Sequence, residues 1–415
     1  MISKKRFEQQ LAQLAALSAP NMGPGIHRLA FSDSDLAGRS YLMQLMREAG
    51  LMLRTDAFGN VIGHLPGRDE ALPAVMFGSH GDSVPSGGNY DGIVGILSAI
   101  EAVRSMREDG FQNDHPLEVV LFMCEESSRF GAATLGSRAM RGELSTEDLH
   151  RLADADGHTL YSVLTERGLD PDHIADAKYQ KPLKAFFEVH IEQGKVLEHD
   201  HLPLGIVTGI AAPTRMLAHI HGSADHSGAT PMQLRHDGSC AAAEIILQVE
   251  QLAAAHTEPP VVGTVGVIRV QPCAMNVIPG ETELGIDIRS ISADAKRETS
   301  QAVRQAIADI CQKRGIPYDI EEISDETPVQ MLPAMINFLA GLCEKQGQAY
   351  RKLPSGAGHD SMHWADYTPT GMLFIPCKDG ISHNPAESAR LDDIVSAAKI
   401  LELAVRTVSQ KNFQF

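Results

Sequence analysis

The sequence predicts an α/β protein: a mostly parallel sheet with helices on both faces, interrupted by a smaller inserted α+β domain. Two observations predict it. Short apolar runs of strand length, separated by helix-length segments, lie at 74–77, 117–124, 185–191 and 371–375. Between 215 and 322 the elements follow the order β-α-β-β-α-β, which is typical of a ferredoxin-like unit. Because the last apolar run comes after this unit, we interpret the unit as an insertion.

The individual elements follow from periodicity along the chain. The first forty residues predict one helix and a loop rich in proline and glycine, and 36–49 predicts a helix that ends at Gly50. The segment 55–65 alternates like a single strand. Further helices are predicted at 93–107, 237–255, 293–313 and 391–408, and further strands at 215–222, 261–270, 283–289 and 318–322. The expected domains are 1–211 and 328–415 for the two parts of the larger domain, and 212–327 for the insertion.

Composition narrows the class of protein. The formal net charge of -17 argues against nucleic acid or an anionic membrane as a partner. The six cysteines are scattered, which favours free thiols in a reducing compartment. No run approaches the roughly 18–20 apolar residues that are needed to span a bilayer. We therefore expect a cytoplasmic protein.

Polar side chains follow the ends of the predicted strands. Those able to bind metal or move protons are His80, Asp82, Asp91, Glu125, Glu126, His190 and His383. The carboxyl ends of parallel strands meet at one edge of a sheet, so these residues can converge. Three imidazoles and two carboxylates are too many for one open zinc site, but they suit two metals if a carboxylate such as Asp91 bridges them. Of the pair Glu125 and Glu126, one can ligate while the other acts as general base, and Asp82 can orient His80.

Each residue has an ordinary explanation when it is taken alone. A His-x-Asp sequence in a loop is usually a turn, paired glutamates at a strand end are usually solvated, and His190 could be a core histidine. Joint placement at strand ends, taken together with the family resemblance described below, favours the metal site. His219 and His221 share a face of a predicted strand and could bind metal, but we expect that nothing else converges on them.

The chain resembles the M20 family of metal-dependent amidohydrolases, in particular its branch of N-carbamoyl-L-amino acid hydrolases, allantoate amidohydrolases and β-ureidopropionases. Eight segments match in order and near the family's spacings: 79–92, 124–130, 189–194, 225–231, 275–280, 287–289, 355–360 and 380–387. The resemblance implies a catalytic domain that holds two divalent metal ions per subunit, with Zn, Mn, Co or Ni all compatible. It also implies that the inserted domain is a lid that forms a homodimer.

The same resemblance implies roles residue by residue. The metal ligands are His80, Asp91, Glu126, His190 and His383, with Asp91 bridging, Glu125 as general base and Asp82 behind the first ligand. His226 resembles a lid histidine that reaches the partner subunit's site and polarises the scissile carbonyl. The residues implied to contact substrate are Gln193 at the ureido end, Asn276 and Arg289 at the α-carboxylate, and Gly358 and His359 in the pocket lining. Alternatively, Arg289 could pair with Asp287, and Gln193 could cap a turn.

Three residues depart from the family pattern. Gly81 and Ser83 stand where a bulky residue and threonine are usual, and Asp225 stands where asparagine is usual. None of them removes a ligand or the base, so we expect effects on substrate preference and metal affinity.

The predicted reaction is hydrolysis of the carbamoyl C–N bond of N-carbamoyl-L-amino acids to amino acid, CO2 and ammonia. Allantoate amidohydrolase and β-ureidopropionase activities are close alternatives, followed by hydrolysis of another N-acyl amino acid or a peptide. A non-catalytic ligand-binding protein on a hydrolase scaffold is the alternative of a different class, and the intact Glu125 argues against it.

Overall fold

The computed structural model describes all 415 residues of the chain. They form two units, the first built from 1–208, 331–353 and 358–415 and the second from 209–330 and 354–357. The inserted segment begins at 209 where 212 was expected, and it ends at 330 where 327 was expected. The role of the second unit as a lid and dimerisation domain stays a prediction.

The chain contains helices and strands throughout. The helices are α1 (Lys4–Ala16), α2 (Asp33–Glu48), α3 (Ile93–Glu108), α4 (Leu135–Arg141), α5 (Thr146–Arg151), α6 (Leu160–Glu166), α7 (Val196–His199), α8 (Gly238–Ala254), α9 (Ala293–Arg314), α10 (Pro333–Lys345) and α11 (Leu391–Val408). The strands are β1 (Met52–Thr55), β2 (Val61–Leu65), β3 (Ala74–His80), β4 (Leu117–Phe122), β5 (Leu183–Ile191), β6 (Leu204–Ile210), β7 (Ala212–His221), β8 (Val261–Gln271), β9 (Glu281–Ser290), β10 (Tyr318–Asp325), β11 (Val329–Gln330), β12 (Tyr350–Ser355) and β13 (Thr370–Ile375).

The larger sheet has the strand order β1-β2-β4-β3-β5-β13-β6-β11, and β12 pairs with β6. Its central strands β4, β3, β5 and β13 are parallel to one another. The strands on either side join them antiparallel. This confirms the predicted α/β class, and it places the carboxyl ends of four neighbouring strands along one edge.

Alternate residues of the central strands pack into two cores. On β3, Val75 and Phe77 belong to the larger core, which includes α3 and α11. Met76 points to the opposite face, where it packs in a cluster with Trp364. The sheet is therefore covered on both faces, and its near-continuous apolar strands are those of a buried parallel sheet.

The second unit contains a four-stranded antiparallel sheet in the order β10-β7-β9-β8. Helix α8 connects β7 to β8, and α9 connects β9 to β10. This topology confirms the predicted ferredoxin-like unit. One sheet face packs on both helices through residues such as Ile220, Ile286 and Ile307, whereas the other face carries polar side chains.

The prediction of one strand at 55–65 is wrong. The segment belongs to an antiparallel hairpin of β1 and β2. Asp56 Oδ1 accepts hydrogen bonds from the backbone N–H groups of Phe58, Gly59 and Asn60, and Gly59 has φ of +100°. The Asp side chain thus closes a turn in the middle of the alternating pattern.

No helix combines the length and the hydropathy that a membrane-spanning segment requires. The cytoplasmic location stays a prediction.

Candidate active site

The polar residues predicted at the strand ends lie together at the carboxyl edge of the four parallel strands. His80 is the last residue of β3, and His190 is the next-to-last residue of β5. Glu125 and Glu126 follow β4, and His383 follows β13. Because these strands are neighbours, their ends bring residues from distant parts of the chain to one place.

Asp91 lies at the centre of this cluster. Its Oδ1 is 3.2 Å from Nε2 of His80 and 3.1 Å from Nε2 of His190, whereas its Oδ2 is 3.4 Å from Nε2 of His383. Oε1 of Glu126 lies 3.3 Å from the same nitrogen of His383. The side chains form two groups that could hold a metal ion, His80–Asp91–His190 and Asp91–Glu126–His383, and Asp91 belongs to both.

The spacing of these atoms fits the coordination of cations. Nitrogen and oxygen ligands bound to a tetrahedral zinc ion lie about 3.4 Å from one another, and the distances here run from 3.1 to 3.4 Å. Oε1 of Glu126 is buried and accepts no hydrogen bond, and Nε2 of His383 lies 3.3 Å from it. The residues therefore fit a metal centre, and the sharing of Asp91 fits two cations.

The two buried histidines are fixed by hydrogen bonds on the nitrogen that faces away from the shared carboxylate. Nδ1 of His80 lies 3.2 Å from the carbonyl oxygen of Asp82, and Nδ1 of His190 lies 2.9 Å from the carbonyl oxygen of Ile191. A carbonyl oxygen only accepts, so Nδ1 carries a proton in each ring. Nε2 is therefore the nitrogen that can bind a metal.

Opposite charges within the cluster shift pKa values strongly. Burial disfavours the charged form of His80, but Glu125 and Asp82 outweigh burial and raise its pKa well above the usual value. Burial also acts to raise the pKa of Asp91, but the surrounding imidazoles lower it well below the usual range. The hydrogen bond to Asp91 raises the pKa of His383 to about 9.

Glu125, like Asp82, belongs to neither metal-capable group. Its Oε2 lies 3.8 Å from Nε2 of His80. Burial raises its pKa well above the usual value; His80 opposes this shift, and Glu126 adds to it. Cys124 before it has φ of +58°, a conformation that non-glycine residues rarely adopt and that is often found at functional sites. Such a carboxylate suits proton transfer.

Asp82 joins the ends of β3 and β4. Its carboxylate accepts hydrogen bonds from the backbone N–H groups of Glu125 at 3.2 Å and Glu126 at 3.1 Å. Its Oδ1 is 3.6 Å from Nδ1 of His80, which is too long for a hydrogen bond. Asp82 therefore contacts His80 through its carbonyl and the two glutamates through its carboxylate.

Gln193 lies against the second metal-capable group. Its side-chain amide donates to Oδ2 of Asp91 at 2.7 Å and lies 3.3 Å from Nε2 of His383. Its Oε1 is buried and has no hydrogen-bond partner. The side chain thus presents an unused acceptor beside the cluster.

His226 and Asn276 lie in the second unit. Nδ1 of His226 accepts hydrogen bonds from the backbone N–H groups of Gly228 at 3.1 Å and Ala229 at 3.2 Å. The neutral ring must then carry its proton on Nε2. Asn276 has an exposed side chain, and its carbonyl accepts from the N–H of Ser227 at 3.0 Å. Both residues are exposed, and their contact with substrate stays a prediction.

Arg289 pairs with Asp287 on the same strand. Its Nε and Nη2 donate to the two carboxylate oxygens of Asp287 at 2.8 and 3.1 Å, and Nη1 donates to the carbonyl of Gly356 at 3.0 Å. A guanidinium has five N–H groups, so donors on Nη1 and Nη2 remain. The alternative pairing of Arg289 with Asp287 is therefore present. It leaves two N–H groups of the guanidinium available to a ligand.

Comparison with known proteins decides the family. The profile of the peptidase family M20/M25/M40 matches residues 76–407. The chain belongs to this family. An uncharacterized hydrolase of Haemophilus influenzae is 40% identical over 406 residues, which covers 97% of this chain and 98% of the relative. An N-carbamoyl-L-amino-acid amidohydrolase of a Pseudomonas strain is 39% identical over 403 residues, which covers 96% and 97%.

The other matches agree with this assignment. An allantoate amidohydrolase of Escherichia coli is 34% identical over 400 residues, which covers 96% of this chain and 97% of the relative. The crystal structure of an amidase of the hydantoinase/carbamoylase family from Burkholderia multivorans superposes with a TM-score of 0.92 at 34% identity, covering 99% of both chains. The M20 chain is a hydrolase that acts on amide C–N bonds, and it carries residue groups able to hold metal ions.

The segment that contains Gly358 and His359 contacts one of the metal-capable histidines, His190. His359 is only 2% exposed, and its ring centroid is 4.5 Å from that of His190. Burial and the charge of His190 lower the pKa of His359 well below the usual value. Gly358 precedes it, and a side chain there would meet Met362 at 3.7 Å. The contact of Gly358 and His359 with substrate stays a prediction.

The unusual residue Gly81 has a specific environment. A Cβ at Gly81 would lie 3.2 and 3.3 Å from methyl groups of Leu121 and Leu42, so a bulky side chain would require these leucines to move. The buried guanidinium of Arg28 donates to the carbonyl of Gly81 at 3.3 Å, and the Arg28 N–H donates to Oγ of Ser83 at 3.0 Å. Arg28 therefore restrains the chain on both sides of Asp82, which the sequence alone did not indicate.

The expectation that nothing converges on His219 and His221 is wrong. Nδ1 of His221 lies 2.8 Å from Oε2 of Glu281, and its Nε2 lies 2.7 Å from Oδ1 of Asp319. His219 lies 3.8 Å from Glu283. These carboxylates come from β9 and β10, on either side of β7, so only strand pairing reveals them.

Proposed function

We propose that this M20 chain hydrolyses the carbamoyl C–N bond of N-carbamoyl-L-amino acids, with two divalent cations held by His80, Asp91, Glu126, His190 and His383. The observation that carries the proposal is that two metal-capable groups share Asp91, while the nearby Glu125 belongs to neither group. The 39% identity over nearly the whole length of a relative named N-carbamoyl-L-amino-acid amidohydrolase supports the substrate class.

The bound cations would lower the pKa of the attacking water and polarise the carbamoyl carbonyl. Glu125 takes the proton from the water as it attacks the carbonyl carbon, and it returns the proton to the leaving nitrogen. Burial of Glu125, which raises the pKa of its carboxylate, makes it a stronger proton acceptor. Asp82 keeps Glu125 in place through the backbone hydrogen bond at 3.2 Å.

His226 stabilises the negative charge that develops on the carbonyl oxygen. Two backbone N–H groups occupy Nδ1, so Nε2–H is the group that donates to the substrate. The proposal includes the family's arrangement, in which the lid histidine serves the site of the partner subunit.

The α-carboxylate of the substrate binds to the remaining donors of Arg289 and to Asn276. The Asp287 pair orients the guanidinium of Arg289, so less freedom is lost when the substrate binds. Gln193 binds the ureido end, where the buried Oε1 would accept a hydrogen bond from the carbamoyl NH2 group.

A homodimer would supply His226 to the partner's site. Strand β8 lies at the edge of the second unit's sheet, and its Val262 and Ile268 are exposed. An unpaired apolar edge strand favours pairing with another chain. Size-exclusion chromatography with light scattering tests this part of the proposal, and a monomer at micromolar concentration would overturn it.

The substrate class is tested by ammonia release. Purified protein, stripped of metal and reloaded with Zn, Mn, Co or Ni, is assayed with N-carbamoyl-L-amino acids, allantoate, N-carbamoyl-β-alanine and N-acetyl-L-amino acids. We expect the highest kcat/KM on N-carbamoyl-L-amino acids. Allantoate is the substrate in the name of the Escherichia coli relative. A higher kcat/KM on allantoate would overturn the substrate assignment but not the proposed chemistry.

The chemistry is tested by Glu125→Gln. Loss of a general base lowers kcat by roughly 10²–10⁴-fold, while the amount of bound metal should stay the same. Glu402→Gln is the matched control, because Glu402 is also buried but bonds to Ser105 and Arg406. Undiminished turnover by Glu125→Gln would overturn the mechanism, and wild-type protein that binds ureido acids without turnover would favour a binding protein.

A further inference from the structure

Glu387 contacts the loop that carries Asp91, although 296 positions separate the two residues in the chain. Its carboxylate is buried, with 6% of the residue exposed. Oε1 accepts hydrogen bonds from the backbone N–H groups of Tyr90 at 2.9 Å and Asp91 at 3.1 Å. One carboxylate oxygen therefore holds two consecutive amides immediately before α3.

The loop lies flush against Glu387. A Cβ added at Gly88 would come within 2.1 Å of the Glu387 carboxyl group. Glycine at this position thus permits the close approach that brings the N–H groups of Tyr90 and Asp91 into hydrogen-bonding range. Gly88 and the distant Glu387 therefore form one arrangement.

A second contact joins the same two segments. Oγ of Ser382 donates to Oδ2 of Asp91 at 2.9 Å and lies 3.4 Å from Oε2 of Glu387. The segment 382–387 also carries His383, whose Nε2 is 3.4 Å from Oδ2 of Asp91. This segment therefore contacts the backbone and the carboxylate of Asp91 at once.

We propose that Glu387 is a positioning residue that holds Asp91 between the two metal-capable groups and sets its orientation relative to His383. The proposal rests on the bridging role of Asp91 proposed above. Without the carboxylate, the buried N–H of Asp91 and the partly buried N–H of Tyr90 lose their acceptor, and the loop must shift to find another. Because Asp91 belongs to both groups, a shift of its backbone changes both.

The test uses Glu387→Ala, Glu387→Gln and the control Glu402→Gln in the full-length protein loaded with Co²⁺. Glutamine keeps an oxygen that can accept both N–H groups, whereas alanine removes it. The measurements are bound Co²⁺ per chain by elemental analysis, Co²⁺ affinity by competition with a chelator, and the visible absorption spectrum of the bound Co²⁺.

For Glu387→Ala we expect Co²⁺ affinity about 10–100-fold weaker than in wild type, the size of effect seen when a group supporting a ligand is lost. Its Co²⁺ spectrum should change, and kcat should fall more than KM rises. Glu387→Gln should recover most of the affinity, and Glu402→Gln should match the wild type. Wild-type affinity and spectrum in Glu387→Ala would overturn the proposal.

Two further outcomes are distinguishable. If Glu387→Ala does not fold, Glu387→Asp tests the positioning role instead, because its shorter carboxylate cannot reach both backbone N–H groups. Wild-type Co²⁺ affinity in Glu387→Asp would overturn the positioning role. If the wild type binds fewer than two Co²⁺ ions per chain, the two-metal centre of the proposed function fails, whatever the variants of Glu387 show.

Discussion

Oδ1 of Asp82 accepts a hydrogen bond from the backbone N–H of Glu125 at 3.2 Å. Its Oδ2 does the same for Glu126 at 3.1 Å. One carboxylate at the end of β3 thus fixes the proposed base and a proposed metal ligand that both follow β4, while the Asp82 carbonyl bonds to His80. The two strand ends are joined by a single residue.

Asp82→Asn tests this connection. Asparagine offers one oxygen and one NH2 group, so one of the two backbone N–H groups would face a donor. We expect activity to fall about 10–100-fold through misplacement of Glu125 and Glu126. Steady-state kinetics and metal content are the measurements. Asp393→Asn, a buried aspartate at the start of α11, is the control; equal effects in both variants would assign the loss to general destabilisation.

Removal of metal should abolish hydrolysis. After dialysis against a chelator, re-addition of Zn, Mn, Co or Ni should restore activity to different extents, whereas Mg²⁺ should restore little, because it prefers oxygen ligands. Rebinding should also raise the free energy of unfolding, by about 2.7 kcal/mol when the free ion is at 100 times its Kd. Full activity in protein shown by elemental analysis to be free of metal would contradict the proposed mechanism.

Arg289→Lys and Arg215→Lys form a matched pair, because both arginines donate to Asp287. Lysine cannot reproduce the guanidinium fork, so Arg289→Lys should raise KM about 10–100-fold through weaker binding of the substrate carboxylate. Arg215→Lys should change KM little. Kinetics on an N-carbamoyl-L-amino acid make the comparison. Similar effects of both substitutions would mean that Arg289 acts only through its pair with Asp287.

Mixing two inactive variants tests whether His226 acts across the proposed dimer. Glu125→Gln and His226→Ala are each expected to be nearly inactive. In a mixed dimer, the subunit that keeps Glu125 can receive His226 from its partner, so one site is complete. Random reassortment should restore about a quarter of the wild-type activity. If a mixture shown to contain mixed dimers recovers no activity, His226 serves its own subunit.

His221 makes the stability of the second unit depend on pH. Hydrogen bonds to Asp319 and Glu281 raise the pKa of His221 above its usual value. The folded form therefore binds the proton more tightly, so this stabilisation is full below the unfolded pKa of about 6.5 and is lost as pH rises through the folded value. His221→Gln should lower Tm more at about pH 5.5 than at about pH 9.5.

His219→Gln is the control for this pH effect. His219 lies 3.8 Å from its nearest carboxylate oxygen, on Glu283, so its substitution should change Tm by a similar small amount at both pH values. High salt should reduce the effect at His221, because its side chain is 41% exposed and the ion pairs are screened. An equal loss of Tm at both pH values in His221→Gln would contradict the prediction.

The sequence by itself determined the α/β class, the ferredoxin-like insertion and the strand ends at which the metal-capable residues stand. It did so because apolar runs, helical periodicity and the position of a side chain relative to a strand end are local properties. The parallel order of β4, β3, β5 and β13 then makes convergence of His80, Glu126, His190 and His383 a geometric consequence. The single strand predicted at 55–65 failed because Asp56 closes a turn that periodicity does not reveal.

Only the tertiary structure decided which partner each side chain takes. The two N–H groups held by Asp82, the acceptor that Glu387 provides for Asp91, and the carboxylates on either side of His221 all join residues that are distant in sequence. The local sequence pattern does not predict any of these partners. The strength of a hydrogen bond or ion pair depends on distances of a few tenths of an ångström and on burial, which the packing of the whole chain sets.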